Sequence, residues 1–174
     1  MTADRPTLAR RAGAEGIAAF ALVFAGCGAI VADQRYHSAL GTVGVALVFG
    51  LIIMVMVYAT GHLSGAHINP AVTAAFTLTR HFPPRDALAY VGAQLAGATA
   101  GALLLLAVWT DKPANLGATV PHIGAGSAFL YELVLTAFLM FVIMAVATDT
   151  RAVGAAAAIA IEAPLAWTLS SAVL

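Results

Sequence analysis

From Tyr36 to Thr79 the chain runs for 44 residues without an Asp, Glu, Lys or Arg. A soluble domain carries about a quarter charged residues, spread over the surface it shows to water. A charge-free run of this length is therefore compatible with few environments. The whole chain follows the same pattern: of its 174 residues 61% are hydrophobic and 9% charged, and the mean hydropathy is +0.94. A single soluble core of this size cannot enclose that much apolar surface. The solvent for most of the chain is lipid, which excludes a disordered chain and an ordinary soluble enzyme. The formal net charge is zero, so no basic surface points to nucleic acid as a partner. Cys27 is the sole cysteine. It excludes an intramolecular disulfide framework and a cysteine-based zinc site, and reads as a small packing residue.

Charges mark the ends of the apolar runs. Arg5, Arg10 and Arg11 precede a run broken only by Glu15, and Asp33 and Arg35 close it. Arg80, Arg85 and Asp86 end the charge-free stretch, Asp111 and Lys112 open a polar loop, and Asp149 and Arg151 precede the last apolar segment. A span needs about 20 apolar residues. Helices are thus expected at about 12–32, 40–60, 87–109, 127–148 and 152–174. The fold class is an all-α membrane protein with five transmembrane helices. The first run also has the form of a secretory signal, but four further spans favour an anchoring helix. With the N-terminus in the cytoplasm, six of the eight Lys and Arg residues lie inside and only Arg35 and Lys112 outside, in keeping with the positive-inside rule. A multi-pass protein of the inner or plasma membrane is expected.

Gly61 to Thr79 is too apolar for an aqueous loop, yet Gly61, Gly65 and Pro70 interrupt a helix. Broken backbone at membrane depth survives only where it is buried in protein or lines a cavity. The segment therefore reads as re-entrant. Within it, Asn69 is a good N-cap and Pro70 a good first helical residue, so a half-helix is expected from Pro70 to about Thr79. Its unsatisfied N–H groups and positive dipole end would repel cations and protons. The Asn69 amide would donate to a passing oxygen, and the carbonyls of Gly65, Ala66, His67 and Ile68 would accept. Such a wall suits water or another small neutral solute. His62 and His67 are five apart, which is not the spacing of a helical metal pair. No metal or other cofactor is expected, and no nucleophile with its base and acid suggests an enzyme.

A weak internal repeat accompanies this motif. Ala14-Glu15 matches Tyr131-Glu132 at an offset of 117, with Leu22 and Phe24 matching Leu139 and Phe141. The second helix vaguely matches the fifth at an offset of 112. Three helices per half would set the halves in opposite orientations, the arrangement of channels and transporters with a site at the repeat interface. The domains expected are a tail (1–11), a first repeat (12–110), an extracytoplasmic loop (111–126) and an incomplete second repeat (127–174). A second copy of Asn69 would fall at 181–186, beyond the last residue.

The block Ser64-Gly65-Ala66-His67-Ile68-Asn69-Pro70-Ala71-Val72-Thr73 resembles the aquaporin and glycerol-facilitator family and contains its Asn-Pro-Ala triplet. Ala14-Glu15 with Phe20, Val48-Phe49-Gly50-Leu51, Tyr90, Gln94, Glu132-Leu133 and Phe141 also match, so that the likeness covers about residues 10–161. The resemblance implies a right-handed bundle of six tilted helices and two half-helices, a pore in each protomer and a homotetramer. It implies that Asn69, Pro70 and Ala71 belong to the pore and that Phe49 narrows an outer selectivity constriction. It further implies that Glu15 and Glu132 brace the re-entrant loops, a role extended to Gln94 and His62.

The departures from the family are as specific. A second Asn-Pro-Ala block, the arginine after it and a sixth helix are not found. Glu162 stands where the family has glycine, Pro164 follows, and Leu169 falls near the place of a constriction histidine. A chain cut short by a frameshift or premature stop near residue 162 is expected. Two alternatives to a conducting channel accompany that expectation. One is a non-conducting remnant, or a half-channel that needs a second chain. The other is a secondary transporter, for which Glu162 would be the coupling residue.

Overall fold

The computed structural model describes residues 6–148, and they form helices joined by short turns. Five α-helices follow in order: α1 Leu8–Arg35, α2 Gly41–Ser64, α3 Pro70–Leu78, α4 Pro84–Val108 and α5 Ala125–Thr148, with a short 3-10 turn at Pro113–Gly117 between the last two. Four of them, α1, α2, α4 and α5, are long and apolar enough to cross a membrane. In lipid every backbone polar group must find its partner within the protein, which a continuous helix achieves alone. The fifth span expected at 152–174, with Glu162, Pro164 and Leu169, lies outside the described residues.

The helices start and stop for local reasons, and three boundaries differ from expectation. Helix α1 begins before Arg10 and Arg11 rather than after them, because the Thr7 hydroxyl accepts the Arg10 N–H at 3.3 Å as a cap. The Arg11 guanidinium is not left free at the membrane boundary: it pairs with Asp86 at 2.8 Å and donates to the Pro6 carbonyl. Helix α2 continues through Gly61 and His62, where an interruption was expected. The Gly65 N–H closes the last turn on the Gly61 carbonyl at 2.9 Å, and the helix ends at Gly65, whose φ of +89° suits a glycine terminator. Helix α4 begins three residues early, with Pro84 in its first turn, a position where a missing N–H costs nothing. The half-helix α3 matches expectation, with Asn69 as N-cap, Pro70 first and Thr79 as C-cap.

The described residues form two compact units, one drawn from Met1–Phe24 and Val55–Thr110, the other from Ala25–Met54 and Asp111–Leu174. The first unit packs through small residues. Ala14, Ala18 and Ala19 of α1 are buried, and a Cβ at Gly97 of α4 would collide with the backbone of Gly16. One at Gly101 would stand 2.9 Å from the Phe20 carbonyl oxygen. The Gly97–Gly101 stripe thus lets the two helices approach until backbone meets backbone. In the second unit, the Phe49 ring occupies the space a side chain at Gly26 would need, and Gly117 (φ +78°) lies directly on Cys27.

Candidate functional site

At the centre of the first unit is one carboxylate. Glu15 is fully buried, and each of its oxygens takes two hydrogen bonds. Oε1 accepts from the Ser64 hydroxyl at 2.6 Å and the His67 N–H at 3.0 Å. Oε2 accepts from the Ile68 N–H at 2.6 Å and the Gln94 amide at 2.8 Å. An ionised carboxylate without such donors would be very costly at this depth. With four of them, it ties α1, the end of α2, the re-entrant loop and α4 to one point.

A second layer of bonds fixes the same loop. Gln94 uses its other amide hydrogen on Thr73 Oγ1 at 3.0 Å. The Tyr90 hydroxyl donates to the Ser64 carbonyl at 2.7 Å, and the Ala66 N–H donates to the Ser64 hydroxyl at 3.0 Å. His67 Nδ1 stands 3.1 Å from Thr73 Oγ1, and its ring stacks on Phe76 and meets Phe82 and Tyr90. The restraint matters because the loop conformation is strained. Gly65, Ala66 and Ile68 all have φ between +49° and +89°, a region that costs residues other than glycine of order 1–3 kcal/mol each.

The outcome for the loop's polar groups is unequal. The N–H groups of Ala66, His67 and Ile68 point to side-chain acceptors. The carbonyls of Gly65, Ala66, His67 and Ile68 accept no hydrogen bond from any described residue. Asn69 is exposed. Its side-chain oxygen accepts the Ala71 N–H at 2.8 Å, which orients the amide, and its NH2 donates to no described residue. The strand of backbone leading into α3 thus presents acceptors, then a fixed donor.

The expected site residues divide between the exposed side of the loop, its buried brace and exposed helix faces. Asn69, Pro70, Ala71, Gly65 and Ala66 remain on the partly or fully exposed side. His67 and Ile68 are buried, 9% and 6% exposed, so their side chains belong to the brace. Glu15 and Gln94 brace the loop. His62 is exposed and makes no hydrogen bond among the described residues, because α2 does not end before it. Glu132 is likewise exposed, with no donor among the described residues. Ser64, Thr73 and Tyr90 had no role assigned from sequence. Ser64 and Thr73 lie inside the Asn-Pro-Ala block, and Tyr90 precedes Gln94 by one helical turn, which was the available signal.

In the second unit Phe49 borders a cleft of about 280 Å³. Thr42, Val45 and Phe49 share one face of α2 there, opposite Ile30 and Asp33 of α1 and the segment from Gly117 to Val120. Asp33 is more than the polar break it resembles in sequence. Its Oδ1 accepts the N–H groups of Leu40 and Gly41, both at 2.8 Å, and so caps the start of α2.

These features define a membrane-embedded helical scaffold built around a braced half-helix, and comparison with known proteins gives its family. The Major intrinsic protein family profile matches residues 2–173. The chain is 44% identical over 152 residues to nodulin-26 of Glycine max, covering 87% of this chain and 56% of that protein. It is 44% identical to aquaporin NIP1-1 of Oryza sativa subsp. japonica, covering 87% and 54%. Against aquaporin NIP6-1 of Arabidopsis thaliana it is 43% identical, covering 90% and 51%. The X-ray structure of the aquaglyceroporin from Plasmodium falciparum superimposes with a TM-score of 0.77 at 23% identity, over 95% of this chain and 71% of that one, which shows the fold. The chain belongs to the major intrinsic protein family, a family of membrane channels rather than enzymes. It spans about half the length of the curated relatives it matches.

Proposed function

We propose that the chain forms the wall of a channel for passive movement of water and small neutral solutes such as glycerol. The observation that carries this reading is the divided polarity of the re-entrant loop. Glu15 and Ser64 consume the loop's N–H groups, the four carbonyls from Gly65 to Ile68 are left as acceptors, and the cap bond to Ala71 leaves the Asn69 amide as a donor. A water molecule in single file needs acceptors, then a donor, and very little else. The positive end of α3 at Asn69 opposes the passage of cations and protons.

In this reading Pro70 and Ala71 start the half-helix, and Phe49 narrows the path at the cleft it borders. An aromatic side chain there favours the smaller solutes. The chain assembles as a homotetramer in the inner or plasma membrane with its N-terminus in the cytoplasm, the side to which most of its arginines are assigned. The division into a tail (1–11), a first repeat (12–110), a loop (111–126) and a second-repeat segment (127–174) follows from the same reading.

Stopped-flow osmotic shrinkage of proteoliposomes tests it. Asn69→Asp is the informative variant, because Asp is as good an N-cap as Asn but replaces the donor with a negative charge. The expected result is shrinkage well above that of empty liposomes for the chain, and a fall of at least about tenfold in the protein-dependent component for Asn69→Asp. Equal rates for the chain and the variant would overturn the role of Asn69. A rate no higher than lipid alone would overturn conduction by this chain.

A further inference from the structure

The turn between α3 and α4 has a property that the channel reading does not use. It borders an open cleft of about 370 Å³ lined by Thr77, Arg80, His81, Phe82, Pro83 and Pro84. The turn is held firmly. The Phe76 carbonyl accepts the N–H groups of both His81 and Phe82, at 2.8 and 3.0 Å, and the Phe82 ring is buried against His67 and Tyr90. The cations on it are not neutralised. The Arg80 and Arg85 guanidinium groups are exposed and make no ion pair or hydrogen bond among the described residues. His81 uses only Nδ1, 3.1 Å from the Thr79 hydroxyl. Asp86 is the one carboxylate nearby in sequence, and Arg11 already holds it at 2.8 Å.

Two leucines add the second half of the argument. Leu78 at the end of α3 and Leu88 in the second turn of α4 are 83% and 82% exposed, one on each side of this basic turn in the sequence. In a membrane-spanning chain, apolar side chains beside unpaired arginines are the composition of a site at the lipid boundary. Basic pockets between transmembrane helices bind the phosphates of anionic headgroups. We propose that this cleft holds the headgroup phosphate of an anionic phospholipid, with Arg80, which lines it, on the phosphate, Arg85 adding its charge from the residue just beyond the lining, and Leu78 and Leu88, which flank the turn in sequence, against the acyl chains. The proposal rests on the membrane embedding alone and does not depend on conduction.

Native mass spectrometry of the full chain released from detergent tests it, with phosphatidylglycerol and phosphatidylcholine of identical acyl chains as probes. Phosphatidylglycerol is expected to be retained at least about fivefold more than phosphatidylcholine, from about one surface arginine's contribution. Arg80→Gln should bring the two lipids within about twofold, Arg80→Gln with Arg85→Gln should equalise them, and Arg35→Gln should leave the preference intact. Neither guanidinium makes a described contact, so lipid-free unfolding of these variants should match the parent chain. Equal retention of the two lipids by the parent chain would overturn the proposal, as would a preference that survives the double variant. Displacement of the lipid by an equal concentration of inorganic phosphate would overturn the lipid assignment in favour of a free anion.

Discussion

Glu15 and Glu132 look alike in the sequence and differ in the structure. Each follows shortly after the start of an apolar helix, and the two correspond under the internal repeat. Glu15 is completely buried and accepts four hydrogen bonds. Glu132 is exposed, with no donor among the described residues. The difference lies in the partners, not in the residue. Helix α1 meets a loop whose strained conformation turns two consecutive N–H groups inward, and α4 brings Gln94 to the same place. A carboxylate at membrane depth is a brace only where such donors converge on it.

The contrast can be sharpened by substitution. The largest effect is expected from Glu15→Gln. The new amide nitrogen would face the Ile68 N–H and the Gln94 NH2, two donors left without an acceptor at about 1–3 kcal/mol each. A loss of about 3 kcal/mol in unfolding free energy is expected in mixed micelles, against less than about 0.5 kcal/mol for Glu132→Gln at an exposed site. Equal losses would mean that the two glutamates have equivalent surroundings. Gly97→Ala comes next, at about 2 kcal/mol, because its Cβ meets the Gly16 backbone with nothing flexible to yield. Gly92→Ala on the same helix has open space around it and should be neutral or gain up to about 1 kcal/mol of helix propensity. A similar response at both glycines would contradict the close approach of α1 and α4.

Smaller effects separate the outer layer of the brace from the surface. Tyr90→Phe removes the bond to the Ser64 carbonyl while keeping the ring packed, and should cost about 1 kcal/mol. Arg35→Gln breaks an ion pair at 3.7 Å whose side chains are more than half exposed. Such pairs contribute little, and the unfolding midpoint should stay within the error of the measurement. A larger effect for Arg35→Gln than for Tyr90→Phe would reverse the ranking of buried and exposed contacts.

Much of this was legible in the residues. Asn69-Pro70 fixed the start of the half-helix because both residue types have a local reason to be there. The absence of charge from Tyr36 to Thr79 placed the broken segment at membrane depth. The bracing roles of Glu15 and Gln94 came from the resemblance to the aquaporin family, which gave Glu132 the same role; the donors that converge on Glu15 alone among the described residues were not legible. Other features depend on tertiary contacts that spacing does not encode. Gly61 looked like an interruption, yet α2 continues through it until Gly65 takes a left-handed conformation. His67 was expected to offer its carbonyl to the path; that its ring is enclosed by three aromatic rings from α3, the following turn and α4 is a tertiary feature that the spacing does not show. Asp33 looked like a break between spans, and only the fold brings the Leu40 and Gly41 N–H groups back to it.

Amide hydrogen exchange at His67 and Ile68 tests the central claim, that the Glu15 carboxylate holds the re-entrant loop in shape. The parent chain, Glu15→Gln and Glu132→Gln would be compared in the same micelles, with interior amides of α4 as the internal reference for global opening. The account predicts that Glu15→Gln lowers protection of these two amides by about a hundredfold relative to the α4 reference, and that Glu132→Gln leaves it unchanged. Protection of His67 and Ile68 that stays at the parent value in Glu15→Gln would contradict the account.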